Sequence, residues 1–198
     1  MIRYITVAHD AEAEQTIEKS RFIAHVSSVN TREEADAFIA NIRKVYRDAT
    51  HNVPAFVLGE KQEIQWASDD GEPSCTSGAP MLQMLVKEGL TNTVIVVTRY
   101  FGGIKLGTGG LVRAYTGVAR EVLDKAGKYE VRDLMSIKIK VPYSVLVKIQ
   151  KAATESHYEV SDISYEDEPI ITLVFESEYE SIVKERVADI TAGNYKYM

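Results

Sequence analysis

Residues 99–118 read RYFGGIKLGTGGLVRAYTGV, and the layout of the chain follows from them. Just before this stretch, TVIVVT (Thr93–Thr98) is β-branched and apolar, the pattern of a buried strand. Within it, Gly102, Gly103, Gly107, Gly109 and Gly110 crowd together, more glycine than a regular element carries. After it, Leu, Val and Ala recur at helical spacing from Leu111 to Ala126, with Gly127 as the stop. The unit is strand, glycine loop, helix, with Arg99, Lys105 and Arg113 at or near the loop. Such a turn lets backbone N–H groups approach a phosphate at a helix N-terminus. It serves equally well as a tight packing corner. A Walker A loop is excluded, because the Gly-Lys-Ser/Thr ending is missing. A dinucleotide fingerprint is not met either, since the glycines do not follow the strand as GxGxxG.

Working back toward the N-terminus, Ile17–Val29 mixes aromatic and β-branched residues with polar ones and reads as a strand. Thr31 with Glu34 makes a capping box for a helix whose apolar stripe is Ala35, Phe38, Ile39, Ile42 and Tyr46. Asn52–Gly59 and Glu63–Ala67 read as a hairpin. Ser68–Pro80, SDDGEPSCTSGAP, is a loop, and Met81–Glu88 a helix that stops at Gly89. Tyr129–Asp133 reads as extended.

A boundary falls near Leu134. Beyond it, Ser136–Val141 alternates as a strand, Tyr143–His157 is a helix, and Tyr158–Tyr165 and Ile170–Glu176 are strands around an acidic turn. Tyr179–Thr191 is a second helix ended by Gly193, with a short strand at Tyr195–Met198. The order βαββα is that of a ferredoxin-like split βαβ domain. The expected fold class is therefore α+β in two domains, residues 1–133 and 134–198.

Composition is that of an ordinary globular protein, with 45% hydrophobic and 26% charged residues in 198. No run is apolar and long enough to span a bilayer, and MIRYITVAHDAEAE lacks the apolar core of a signal peptide. Cys75 is the only cysteine, which excludes an internal disulfide. A cytoplasmic location is expected, with no membrane partner. The net charge is −6. Residues 134–198 hold seven Lys or Arg against eleven Asp or Glu. Nucleic acid would therefore need a local basic patch. Lys138, Lys140, Lys148 and Lys151 are candidates for one shared face of the second domain.

Three constellations carry possible chemistry. In the glycine stretch, Arg99, Lys105 and Arg113 supply charge, and Tyr100 and Phe101 are suited either to stack on a base or to pack at a rim. In the acidic loop, Asp69, Asp70 and Glu72, with His51 as a neighbour, suit a divalent ion or acid–base work, or simply a turn. Ser74, Cys75, Thr76 and Ser77 precede a helix, where N-capping competes with a nucleophile that has no evident base. His9, His25 and His157 stand alone, without ligand spacing.

Taken together, RYFGGIKLGTGGLVRAY and SDDGEPSCTSGAPML closely resemble the YigZ/IMPACT family, and SRFIA at Ser20–Ala24 and His51 fit as well. The match spans about residues 15–126. The family pattern falls on His51, Asp70, Gly71, Glu72, Pro73, Gly78, Pro80, Arg99, Tyr100, Gly102, Gly103, Lys105, Leu106, Gly107, Arg113 and Tyr115. Two departures stand out: Cys75 occupies a place where glycine is usual, and NVPAF follows His51 in place of a Cys and aromatic pattern.

The resemblance implies an N-terminal domain like the second domain of ribosomal protein S-five and a C-terminal ferredoxin-like domain like the last domain of elongation factor G. For eukaryotic members it implies translational control through a kinase activator, a pathway bacteria lack. The expected function is a non-catalytic, regulatory binding protein linked to translation. It would contact RNA or the ribosome through Arg99, Tyr100, Gly102, Gly103, Lys105, Gly107 and Arg113, with His51, Asp70 and Glu72 as possible partners across a cleft. The alternative is an enzyme binding a nucleotide or phosphate metabolite, with a metal on the acidic loop. No catalytic residue and no cofactor is implied. A protein partner is a further expectation, and the chain is expected to be a monomer.

Overall fold

The computed structural model describes residues 2–198; Met1 lies outside the described residues. The chain divides into two compact units, one of Tyr4–Val131 and one of Arg132–Met198 joined by Ile2 and Arg3.

The first unit is built on a five-stranded antiparallel sheet. Its strands are β2 (Ala11–Ile17), β3 (Ser20–Ser28), β4 (His51–Leu58), β5 (Ile64–Ala67) and β6 (Thr93–Tyr100), in the order β2-β3-β6-β4-β5. Helices α2 (Gly78–Lys87) and α3 (Gly107–Ala126) cover one face, where Phe22, Ala24, Val53, Ile95 and Val97 meet Met81, Leu85, Tyr115 and Val118. Helix α1 (Arg32–Val45) covers the other, packing Ala35, Ile39 and Ile42 on Phe56, Leu58, Val94 and Val96. Both faces of the central strands are thus dry, which is why TVIVVT shows no alternation. A two-stranded sheet pairs β1 (Ile2–Val7) with β7 (Lys128–Arg132).

Three local features depart from the sequence reading. The strand read over Ile17–Val29 is β3, Ser20–Ser28, and a further strand, β2, precedes it: Glu18 and Lys19, both at positive φ, turn β2 into β3. Strand β2 escaped notice because AEAEQTI is rich in Glu and Ala. It is an edge strand, and its acidic residues suit that place. Helix α3 starts at Gly107 rather than Leu111, so three glycines form its first turn. That turn has no side-chain cap and no acid of its own, so its leading N–H groups have no side-chain acceptor within the helix. Helix α4 (Tyr143–Ala152) is shorter than predicted, giving way to a 3-10 turn over Ala153–Glu155.

The second unit is a four-stranded antiparallel sheet, ordered β11-β8-β10-β9, with β8 (Leu134–Lys140), β9 (Glu159–Tyr165), β10 (Pro169–Glu176) and β11 (Lys196–Tyr197). Helices α4 and α5 (Glu180–Thr191) pack on one face, where Ile139, Ile171, Leu173 and Phe175 meet Leu146, Ile149, Val183 and Val187. The four lysines expected to share a face are split. Lys138 and Lys140 alternate with Ile139 and so point to the side of the sheet away from the helices. Lys148 and Lys151 lie on α4. No helix among the described residues is long and apolar enough to cross a membrane.

His25 on β3 is buried, its ring 5.0 Å from Tyr46 and its Nδ1 3.3 Å from Glu12, with Nε2 unpartnered. Burial holds its pKa below the ordinary histidine value, against a weaker pull from Glu12. The unfolded chain therefore takes up the proton first. This site's stability is whole above a pH of about 6.5 and is lost as pH falls below it. We expect a His25→Leu protein to lose less stability than the parent between neutral and mildly acidic pH, measured by urea unfolding. An identical pH dependence in the two would refute the assignment.

Candidate functional site

Strand β6 delivers Arg99 to the α2/α3 face, while Tyr100 by alternation points to the α1 face. Arg99 is 4% exposed and Glu72 8%. The Arg99 Nη1 donates to Glu72 Oε1 at 2.7 Å, and Tyr115, fully buried on α3, donates its hydroxyl to the same oxygen at 2.7 Å. Burial, with the Glu72 carboxylate beside it, pushes the Tyr115 phenol well above its ordinary pKa, so it stays a donor. Above and below, the Arg99 guanidinium lies 5.3 Å from the Phe22 ring and 5.4 Å from that of Phe101. These two rings flank a cation whose Nε has no hydrogen-bond partner.

From Arg99 the network runs into the glycine loop. Its Nη2 donates to Ser20 Oγ at 3.3 Å, and the Gly102 N–H donates to that oxygen at 3.1 Å. Gly102 sits so close to the β2–β3 turn that a β-carbon there would lie 2.1 Å from the Lys19 carbonyl oxygen. Only glycine fits. Gly103, at φ +86°, meets nothing within 4 Å; its glycine serves backbone conformation instead.

The acidic loop is held from the other side. His51 pairs with Arg99 across β4 and β6. Its Nδ1 lies 2.8 Å from the Asp70 carbonyl, which only accepts, so the proton is on Nδ1. Nε2 then faces Glu72 Oε2 at 3.8 Å. Asp70 accepts from the Asn52 N–H at 2.7 Å and from Arg43 at 2.9 Å. Asp69 closes the turn. Burial raises its pKa, but bonds from the Ser77 hydroxyl and from the N–H groups of Cys75, Gly78 and Ser77 outweigh that and hold it below the usual range. Cys75, at φ +60°, is part of this turn.

The two loops are therefore brought together, but by direct contact. His51, Asp70, Glu72 and Arg99 form a single constellation around Glu72 with little open space. Each acidic side chain already holds protein donors. Among the described residues no group of three His, Cys, Asp or Glu is arranged to hold a metal ion. Tyr100 is drawn aside, its hydroxyl on Asp48 at 2.9 Å and its ring 5.9 Å from Arg21.

What remains open is the glycine loop itself. Lys105 and Arg113 are exposed, and among the described residues neither makes an ion pair. With Ile17, Glu18, Leu106 and Gly110 they line a shallow cavity of roughly 400 Å³ at the N-terminus of α3. The Arg113 guanidinium reaches back over that first turn, 3.5 Å from where a β-carbon on Gly109 would stand. Ser20 and Tyr115 are the residues whose roles the sequence left unassigned. Both fell within the SRFIA and RAY segments that carry the family resemblance, but their bonds join positions 79 and 43 residues apart.

Residues 18–123 match the Impact N-terminal domain. The chain belongs to the IMPACT family. It is 43% identical over 190 residues to the IMPACT family member YvyE of Bacillus subtilis, covering 96% of this chain and 88% of that one. It is 31% identical over 186 residues to the IMPACT family member YigZ of Escherichia coli, covering 93% and 91%. Among solved structures, a hypothetical protein superposes with a TM-score of 0.63 at 29% identity, over 98% of this chain and 96% of that one. The likeness to IMPACT proteins thus extends through both units.

Removing one partner of a buried ion pair strands the other charge, at a cost of about 3–5 kcal/mol. Glu72→Ala should destabilise the first unit by that order, and Tyr115→Phe by about 1–3 kcal/mol. Both are read by chemical denaturation; a loss under about 1 kcal/mol for Glu72→Ala would show that the pair is not the support described.

Proposed function

We propose that this IMPACT-family protein is a non-catalytic regulator linked to translation, and that it binds RNA, free or in the ribosome, at the glycine loop. One observation carries the reading. Lys105 and Arg113, neither committed to a carboxylate, flank a cavity at a helix N-terminus that has no acid in its first turn. That combination of free cations, uncapped N–H groups and a positive helix end suits a phosphate. The buried Arg99 takes no part in contact. Its work is to fix the loop through Ser20, and Gly102, Gly103 and Gly107 give the loop its path. The resemblance to a family whose eukaryotic members control translation supports the regulatory half.

The unfavourable whole-chain charge is compatible with this. Binding would be local and strongly dependent on salt.

The test is ribosome co-sedimentation and filter binding of RNA across a salt series. Lys105→Glu with Arg113→Glu should weaken association about tenfold or more. It should also flatten the log–log salt slope by about 1.4, two phosphate contacts at roughly 0.7 each. No association of the parent protein, or an unaltered slope in the variant, would reject the proposal.

A further inference from the structure

Resting on the RNA reading above, we infer that the bound strand is single-stranded, with Phe101 as the platform on which one of its bases stacks. Large apolar side chains in the first unit are mostly buried; Phe22 and Phe56 are fully so. Phe101 is 46% exposed, at the start of the glycine loop. Its exposure is not that of a loose side chain. The Phe101 N–H donates to Thr50 Oγ1 at 3.0 Å, and the Thr50 N–H donates to the Arg99 carbonyl at 2.9 Å. One side of the ring is occupied by the buried Arg99 guanidinium at 5.4 Å. The backbone that carries the ring is thus tied down, and one side of the ring already has a neighbour, before any ligand arrives.

Tyr100 is no alternative platform, since Asp48 and Arg21 engage it on the opposite face of the sheet. Ile104, 38% exposed, adds apolar surface beside Lys105 on the same loop. Lys105 comes four positions after Phe101, a reach of at most about 14 Å. Ring and cation are then within the span of a few linked nucleotides, base on one and phosphate on the other. A duplex conceals its base faces and draws nothing from an exposed ring; an unpaired strand presents them.

Fluorescence anisotropy on the full chain separates the contributions. The probes are an oligoadenylate of about ten nucleotides, a length typical of what a single-strand-binding domain covers, an abasic ribose-phosphate strand of equal length, and the corresponding duplex. Oligoadenylate should bind about tenfold tighter than the abasic strand, and tighter than the duplex. Phe101→Leu should erase the gap to the abasic strand while keeping the salt slope, and Phe101→Tyr should retain it. Thermal melting confirms that both variants are folded. Equal affinity for oligoadenylate and abasic strand, a preference for duplex, or an undiminished gap in Phe101→Leu overturns stacking and leaves backbone binding in place. A protein partner's apolar side chain would then be the occupant of the ring. Absence of binding to all three probes overturns the RNA reading together with this one.

Discussion

A single carboxylate oxygen, Glu72 Oε1, receives both the Arg99 guanidinium and the Tyr115 hydroxyl. These donors come from the central strand and from the long helix, and the acceptor comes from a loop that precedes both in sequence. Taking a carboxylate and a guanidinium out of water is costly, so the pair is weak evidence for net stability. What it provides is uniqueness. With each partner hidden from solvent, an arrangement of strand, loop and helix that parted them would leave a buried charge uncompensated. Asp69, Asp70 and Ser20 extend the same logic outward, each turning a loop into a fixed piece of the sheet's end.

This network divides the charged residues of the first unit into two kinds. Arg99 and Glu72 are buried and paired with each other, and the exposed Arg43 is engaged by Asp70. Lys105 and Arg113 are the reverse: exposed, unpaired and set against a helix end of their own sign. Had Arg99 been free, the loop would carry three cations but would lack the support that shapes it. The acidic loop, which the sequence left open between an ion site, acid–base work and a turn, is tied to the protein's own donors and, under the proposed function, supports the glycine loop.

Much of this was legible in the sequence. Continuous β-branched runs marked the doubly covered strands, and the capping box placed α1 with Thr31 accepting from the Glu34 N–H as its pattern demanded. Two long motifs led to the family. Legibility failed where local composition and tertiary context disagree. AEAEQTI carries helix-forming residues yet forms an edge strand, because β3 offers it a partner. Gly107, Gly109 and Gly110 spoke against a helix, yet the helix begins there, held by the packed turns from Leu111 onward. The pairing of Glu72 with Arg99 and Tyr115 could not be read at all, since charge type says nothing of which opposite charge lies near in space. Only the shared family pattern on these three positions hinted that they act together.

Gly102 carries this rigidity to the surface proposed for binding. Its α-carbon rests against the backbone of Lys19, and its N–H is tied to Ser20, so the loop and the hairpin turn beneath it behave as one mechanical part. Such a surface does not have to be ordered by its ligand. The conformational entropy that a floppy glycine loop would surrender on association has been given up already during folding. Partners should therefore meet a preformed shape, with selectivity set by fit to that shape more than by the loop adapting to each of them.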